Sequence, residues 1–198
     1  MIKTIIFDLA EVLLTGMKDI ERLLEPILNI PAETIEKQLH NSDLKNLFNG
    51  KISEDDYWNK MIVGNNWSVD AKLLKETVRT NFQEIDGTRN IVKKLKKSDY
   101  NLGLLSVHTR EWIDYCEEKF IYHNLFNVVM YSFEVAISKP YIGAYQLLLT
   151  KMNASPSETL FIDDSLENVN SAKQLGINSV QFHNAIQLKR ELTDLNVL

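Results

Sequence analysis

Hydrophobic patterning divides the 198-residue chain into short apolar runs and longer segments of helical periodicity. Continuous apolar or β-branched runs of four to six residues are typical of strands covered on both faces. From residue 85 onward, such runs alternate with stretches whose apolar positions recur at helical spacing. This alternation predicts a doubly wound α/β fold with a parallel sheet. The predicted strands are TIIF (4–7), NLGLLS (101–106), NVVMYS (127–132), TLFID (159–163) and SVQF (179–182).

The region that follows the first predicted strand has a different pattern. Its apolar residues recur at helical spacing, and no stretch is typical of a strand. Ser53 followed by Asp56 has the spacing of a helix N-terminal cap. We therefore expect an α/β core domain made of residues 1–16 and 84–198, with a helical cap domain of residues 17–83 inserted after the first strand.

Composition and charge exclude several classes of protein. The chain is 44% hydrophobic and 25% charged, with a formal net charge of −5. The basic run at 93–97 alternates with apolar residues as an exposed helix face does, so no nucleic-acid partner is expected. No apolar run reaches 18 residues, and Asp8 and Glu11 interrupt the apolar N-terminus, so neither a membrane span nor a signal peptide is expected. The expected location is the cytoplasm, as a monomer or weak dimer.

Polar residues stand at or just after the carboxyl ends of four predicted strands. Asp8, Ser106 and the pair Asp163–Asp164 end strands, and Lys139 lies in the loop after the third. Taken singly, Asp8 could terminate a strand, Ser106 and the acid pair could cap helices, and Lys139 could be an exposed loop charge. Taken together, they would converge on one edge of a parallel sheet, where sites of this fold class form.

Such a cluster suits one kind of chemistry. Three neighbouring carboxylates repel each other unless cations neutralise them. Magnesium prefers a few carboxylates together with substrate phosphate, and a lysine, a hydroxyl and backbone N–H groups bind phosphoryl oxygens. An aspartate can then act as the nucleophile and split hydrolysis into formation and breakdown of an aspartyl-phosphate. This interpretation explains why Asp8 stands at the end of a buried strand.

Four ordered segments, FDLAEVLL, LLSVHT, SKP and FIDDS, resemble the motifs of the haloacid dehalogenase-like hydrolase superfamily. The resemblance implies a Rossmann-like core with a helical cap, and it implies a magnesium-dependent phosphatase acting on a small phosphorylated metabolite. The catalytic residues that it implies are Asp8 and Lys139, and the substrate-binding residues are Ser106, Val107, His108 and Lys139. The implied Mg²⁺ ligands are Asp8, the Ala10 carbonyl, Asp163 and Asp164, with Asp164 favoured for direct coordination.

The chain departs from the superfamily pattern at Ala10, where a second aspartate normally serves as general acid and base. General acid–base catalysis contributes about 10²–10⁴ in rate. Glu11 is a candidate substitute, although one residue further along the chain it would point elsewhere. Superfamily members with DLGN here also lack the aspartate, and some resemble sugar-1-phosphate phosphatases. We therefore expect a preference for anomeric or otherwise activated phosphates.

Two alternatives remain open on the sequence alone. Metal-free 2-haloacid dehalogenases also lack this aspartate, but they do not keep an acid pair such as Asp163–Asp164. Loss of the acid could also indicate a binding or regulatory protein with weak catalysis. Elsewhere, His108 could contact substrate or lie exposed in a loop, and the aromatic residues of the insertion could line the pocket or form the cap core; these are Tyr57, Trp58 and Trp67.

Overall fold

A five-stranded parallel sheet forms the centre of the computed structural model, which describes residues 1–198. Its strands follow the order β3-β2-β1-β4-β5. This arrangement confirms the predicted doubly wound fold, because the chain builds outward from β1 in one direction and then in the other. The strands are β1 (Thr4–Phe7), β2 (Asn101–Ser106), β3 (Val128–Tyr131), β4 (Thr159–Asp163) and β5 (Asn178–Gln181).

Five helices and no strand lie between β1 and residue 83. The single helical stretch apparent in the sequence from residue 32 to 48 is two helices, because the Asn41 side chain accepts the N–H groups of Asp43 and Leu44 and starts a new helix. Ser53 and Asp56 form the capping box that their spacing predicts. The helices are α1 (Ile20–Leu28), α2 (Ala32–Leu39), α3 (Ser42–Phe48), α4 (Glu54–Asn65) and α5 (Ala71–Thr80).

Six further helices follow, and they cover the sheet. One helix packs so closely on β2 that a Cβ atom at Gly103 would lie 2.5 Å from the Met152 sulfur. Gly103 therefore leaves room for the Met152 side chain, and a larger residue would require that flexible side chain to move. The helices are α6 (Thr88–Lys97), α7 (Arg110–Phe120), α8 (Ser132–Val135), α9 (Ile142–Met152), α10 (Leu166–Gln174) and α11 (Ala185–Asp194).

The hydrophobic core has two parts, one on each face of the sheet. Ile6 of β1 and Phe161 of β4 belong to the smaller part, which packs under α9 and α10. Ile5 and Phe7 point to the other face and join a larger cluster that continues into the cap and includes Trp58. The cap and the sheet therefore share one apolar interior on this face. No helix has the length and apolar character needed to cross a membrane.

Candidate active site

The carboxyl ends of the two central strands place three charged side chains in contact. Phe7 of β1 is in register with Ile162 of β4, so Asp8 lies beside Asp163. The Lys139 Nζ atom lies between them, 2.7 Å from Asp8 Oδ2 and 2.5 Å from Asp163 Oδ2. All three residues are buried. Lys139 is therefore not an exposed loop charge. It meets Asp163 across a separation of 24 residues in the chain.

The two carboxylates of the acid pair differ in how many hydrogen bonds they accept from the protein. Asp163 Oδ1 accepts the Ser165 N–H at 2.9 Å and the Asn168 side-chain amide at 3.0 Å, while Oδ2 accepts Lys139. These bonds fix Asp163. The Asp164 carboxylate is half-buried and accepts no hydrogen bond from any other residue. Asp164 is thus the acid whose oxygens remain free for a ligand, as the resemblance implies.

Burial makes the negative charge of this cluster unfavourable in the absence of a further cation. Burial raises the pKa of Asp8 to about 7, against the opposing charge of Lys139. Burial also raises the pKa of Asp164, and the Asp163 charge adds to the effect. Although burial disfavours the ammonium, Asp163 and Asp8 raise the pKa of Lys139 above its ordinary value. Three carboxylates and one ammonium give a formal charge of −2, which one divalent cation balances.

The donor set fits a magnesium ion. One oxygen from each of Asp8, Asp163 and Asp164 lies within 4.8 Å of the others. Octahedral Mg²⁺, with ligands at about 2.1 Å, places its ligand oxygens roughly 3–4 Å apart, so only a small closure is needed. The Ala10 carbonyl accepts no hydrogen bond from the protein. Hard oxygen donors with free lone pairs are the ligands that Mg²⁺ prefers.

A tight turn after β1 positions Ala10 and Glu11. The Leu9 carbonyl accepts the N–H groups of the residues from 12 to 14, and the Glu11 N–H donates to the Leu14 carbonyl at 2.6 Å. Glu11 Oε1 accepts the Gly16 N–H at 2.8 Å. The Glu11 carboxylate therefore stabilises the chain leading to the cap, which argues against its replacing the acid absent at Ala10.

The residues after β2 lie in different surroundings. The Ser106 hydroxyl is buried and has no hydrogen-bond partner in the protein. Such an orphaned polar group is unfavourable unless a ligand satisfies it. Val107 lines the cavity that reaches Lys139. Val107 thus reaches the cavity, whereas Ser106 is buried beside it in the chain and does not line the cavity.

His108 lies in an aromatic cluster and not in an exposed loop. The His108 ring centroid is 5.7 Å from the ring centroids of Phe82 and Trp112. The backbone N–H of His108 donates to the Ser132 hydroxyl at 3.2 Å. Burial lowers the pKa of His108 to about 4, so the ring is neutral at pH 7. The backbone N–H of His108 is engaged by Ser132, and its side chain does not line the cavity beside Lys139.

A cavity of about 570 Å³ separates the cap from the edge of the sheet that carries Lys139. Helix α3 and the residues just before it form one wall, with Leu44 and Phe48 among them. Val107 and the 138–141 loop form the other. Tyr57, Trp58 and Trp67 are not in its lining; they are buried in the apolar interior. The cavity has a volume typical of small-molecule sites.

A second buried ionic cluster joins the cap to the core. The Glu54 carboxylate of α4 accepts two hydrogen bonds from Arg79 of α5, at 2.6 and 2.9 Å. It also accepts the indole N–H groups of Trp58 at 3.3 Å and of Trp112 at 2.7 Å. Trp112 belongs to α7 of the core. The partners are separated by up to 58 residues along the chain, so no local pattern in the sequence predicts this cluster.

An aspartate at the end of a central parallel strand, beside a buried lysine and an acid pair, is the arrangement that the sequence motifs of the haloacid dehalogenase-like hydrolases predict. The comparison with known families agrees. Residues 5–182 match the haloacid dehalogenase-like hydrolase family, and the chain belongs to this family.

Two relatives show how the match varies in extent. A D-ribitol-5-phosphate phosphatase of Bacteroides thetaiotaomicron is 24% identical over 221 residues, covering 98% of both chains. A drimenol cyclase of Aspergillus calidoustus is 24% identical over 212 residues. That match covers 98% of this chain but only 37% of the cyclase, so the chain spans little more than a third of that relative.

Solved structures share the fold at low sequence identity. A haloacid dehalogenase family enzyme from Bacteroides thetaiotaomicron, in complex with magnesium and inorganic phosphate, has a TM-score of 0.79 at 21% identity, covering 93% of this chain and 96% of that chain. An aspartate-to-alanine variant of that enzyme also has a structure with both ligands. An L-2-haloacid dehalogenase from Xanthobacter autotrophicus has a TM-score of 0.67 at 19% identity, covering 100% of this chain and 85% of that chain.

Proposed function

We propose that the protein is a magnesium-dependent phosphatase that hydrolyses a small phosphorylated metabolite through an aspartyl-phosphate on Asp8. The observation that carries this proposal is the Lys139 ammonium held between Asp8 and Asp163, at 2.7 and 2.5 Å, beside the unengaged Asp164 carboxylate. A buried nucleophile next to a fixed cation and a divalent-ion site is the arrangement that phosphoryl transfer requires.

Each residue of this edge has a distinct part in the proposed reaction. An Asp8 oxygen forms a bond to phosphorus as the bond from phosphorus to the leaving oxygen breaks. Water then attacks phosphorus, which releases phosphate and restores the Asp8 carboxylate. Lys139 and the Ser106 hydroxyl bind the phosphoryl oxygens. Mg²⁺ held by Asp8, the Ala10 carbonyl, Asp163 and Asp164 would neutralise the charge that accumulates between the carboxylate and the phosphate.

The alanine at position 10 bears on the choice of substrate. A methyl group neither donates a proton to the leaving oxygen nor accepts one from water, and the Glu11 carboxylate is bonded to Gly16. The leaving group must therefore depart without a positioned acid. Phosphates on anomeric carbons or other acidic hydroxyls meet this need better than simple alkyl esters do. We accordingly propose a preference for activated phosphates, whose leaving group is an anomeric or other acidic hydroxyl, and a reduced rate overall.

The relatives support the phosphatase proposal. One with matching length is a phosphatase of a small phosphorylated polyol, and a structural neighbour binds magnesium with inorganic phosphate. The aspartate-to-alanine variant of that neighbour still holds both ligands. Loss of one aspartate is thus compatible, in this fold, with binding of the ion and the phosphate.

The test is hydrolysis of phenyl phosphate with added Mg²⁺ and with a chelator. We expect turnover that requires the ion and returns when Mg²⁺ is restored. Equal turnover in excess chelator would contradict the proposed role of the metal. Absence of turnover on phenyl phosphate and on a panel of sugar 1-phosphates, although Mg²⁺ binds, would favour a binding or regulatory protein.

Ala10 and the fold shared with the dehalogenase favour one alternative, a metal-free hydrolase whose Asp8 attacks carbon. Halide release from a 2-haloacid in the presence of chelator measures this activity directly. The unengaged Asp164 and the formal charge of −2 argue against it, because a metal-free site has no use for an uncompensated acid pair.

A further inference from the structure

The polar groups of the cavity lining are mostly committed to the protein itself. The Asn41 side chain caps α3, and the Ser138 hydroxyl donates to Asn49 Oδ1 at 2.6 Å. The His40 Nδ1 atom is bonded to the Glu36 carbonyl at 2.9 Å. Lys139 is engaged by the carboxylates below it. The lining therefore offers few free amides or hydroxyls with which to recognise a leaving group that carries many hydroxyls.

Apart from the Tyr141 hydroxyl and the second ring nitrogen of His40, the free chemistry of the cavity consists of apolar surface and two opposite charges. Lys45 of α3 and Glu167 of α10 are both exposed, and neither forms an ion pair. The Lys45 Nζ atom lies over the Tyr141 ring, 5.8 Å from its centroid. Tyr141 belongs to the core wall, so this pair spans the cavity from the cap to the core. Tyr141 as a whole residue is 60% exposed.

Building on the proposed phosphatase function, we propose that Lys45 and Tyr141 determine specificity and select a phosphomonoester whose leaving group has a flat apolar face and an acidic substituent. The apolar face packs on Tyr141, while the acidic substituent pairs with Lys45. Glu167 on the core side repels the acid, and this fixes the orientation of the leaving group. A phosphorylated aromatic or heteroaromatic acid has this chemistry, and a linear polyol phosphate does not.

The charge arm of the test compares 4-carboxyphenyl phosphate with phenyl phosphate at low ionic strength. For each enzyme variant we take the ratio of the two kcat/KM values; comparing ratios between variants cancels the intrinsic reactivity of the two esters. Lys45→Met is expected to lower the ratio about fivefold, mainly through KM for the carboxylate, because an exposed ion pair has an effect of this size. Lys45→Arg keeps the charge and is expected to keep the ratio. Lys72→Met removes an exposed cap lysine outside the cavity and controls for net charge.

The stacking arm uses Tyr141→Ala and Tyr141→Phe with phenyl phosphate and D-ribitol 5-phosphate. Loss of the ring is expected to lower kcat/KM for the aryl ester about fivefold relative to the polyol ester. The phenylalanine variant keeps the aromatic face and is expected to retain the wild-type preference, which separates stacking from a hydrogen bond of the phenol.

The outcomes distinguish this inference from the proposed function. Magnesium-dependent turnover with ratios that do not respond to Lys45→Met or Tyr141→Ala would overturn the inference and leave the phosphatase in place. A higher kcat/KM for D-ribitol 5-phosphate than for 4-carboxyphenyl phosphate would overturn it as well. No magnesium-dependent turnover of any of these three esters or of the sugar 1-phosphate panel would overturn the proposed function itself.

Discussion

Two buried ionic clusters lie in this protein, and they differ in how completely their charges are satisfied. Around Glu54, one carboxylate pairs with one guanidinium, and both of its oxygens accept hydrogen bonds, from Arg79 and from two indole N–H groups. At the ends of β1 and β4, three carboxylates share one ammonium. The complete cluster holds the cap on the core. Under the proposed function, the incomplete one takes up a cation and a phosphate.

Asp8→Asn should abolish activity without unfolding the protein. The amide cannot attack phosphorus, so kcat is expected to fall by about 10⁴-fold or more. Stability should stay equal or rise, because the substitution removes one of three crowded carboxylates while Lys139 keeps its bond to Asp163. Steady-state kinetics and urea unfolding of the same preparation measure the two quantities. A large loss of stability would mean that Asp8 belongs to the scaffold.

Glu54→Ala should have the opposite pattern, a large loss of stability that leaves Mg²⁺ affinity intact. Removing the carboxylate leaves both indoles without a partner and Arg79 with only the Lys75 carbonyl, and breaking a buried pair in this way costs about 3 kcal/mol. Urea unfolding measures this. Asp55→Ala is the matched control in the same first turn of α4. Its pair with Lys75 is exposed, and its loss should cost under about 1 kcal/mol. Equal costs at the two positions would contradict the distinction.

His108 should make stability depend on pH, because its ring is buried while still able to titrate. Phe82 and Trp112 pack on the ring, Ser132 bonds to its backbone, and none of these three residues carries a charge. Its pKa falls from about 6.5 in the unfolded chain to about 4 in the fold, so the unfolded state binds more protons between these values. The free energy of unfolding should therefore drop by up to about 3 kcal/mol as the pH falls from about 6.5 to 4.

The substitution His108→Gln removes this titration, so its unfolding free energy should fall less steeply over the same pH range. Exposed His183 offers the matched control, His183→Gln, since its ring meets water in both the folded and the unfolded chain. Identical slopes in wild type and His108→Gln would show that the ring is not titrated by unfolding.

Ala10→Asp should restore the general acid and base that position 10 lacks. We expect kcat to rise by about tenfold or more on alkyl phosphates and by less on aryl phosphates, whose leaving groups need no proton. Ala10→Asn has nearly the same shape and no titratable proton, so it should give no such selective gain. An equal gain on both classes of ester would point to altered binding instead of proton transfer.

Local signals in the sequence account for much of the fold and for the residues of the site edge. The apolar runs identify all five strands to within about a residue, and the capping signal at Ser53 marks the start of α4. The sequence predicts that Asp8, Lys139 and Asp163 lie close together, because parallel strands end at one edge of a sheet. The split between α2 and α3 could not be seen in the periodicity, because a side-chain cap at Asn41 decides it.

Side-chain surroundings were the part that the sequence could not predict. Whether His108 lies in a loop or in an aromatic cluster depends on Phe82 and Trp112, which arrive from other elements. The engagement of Glu11 by Gly16 depends on the turn after β1, and Lys45 meets Tyr141 only once the cap lies over the core. Each of these contacts is set by tertiary packing, which the spacing of apolar and polar residues along the chain does not reveal.

The most direct test of the central claim is to look for the phosphoryl group on Asp8. Because Ala10 cannot activate the attacking water, breakdown of the aspartyl-phosphate should be slow enough for the species to accumulate. Mass spectrometry of enzyme quenched in acid during turnover should then find one phosphoryl group on the peptide that contains Asp8, only with Mg²⁺ present and not in Asp8→Asn. Magnesium-dependent turnover with that peptide unmodified, or with the phosphoryl group on another residue, would contradict the account.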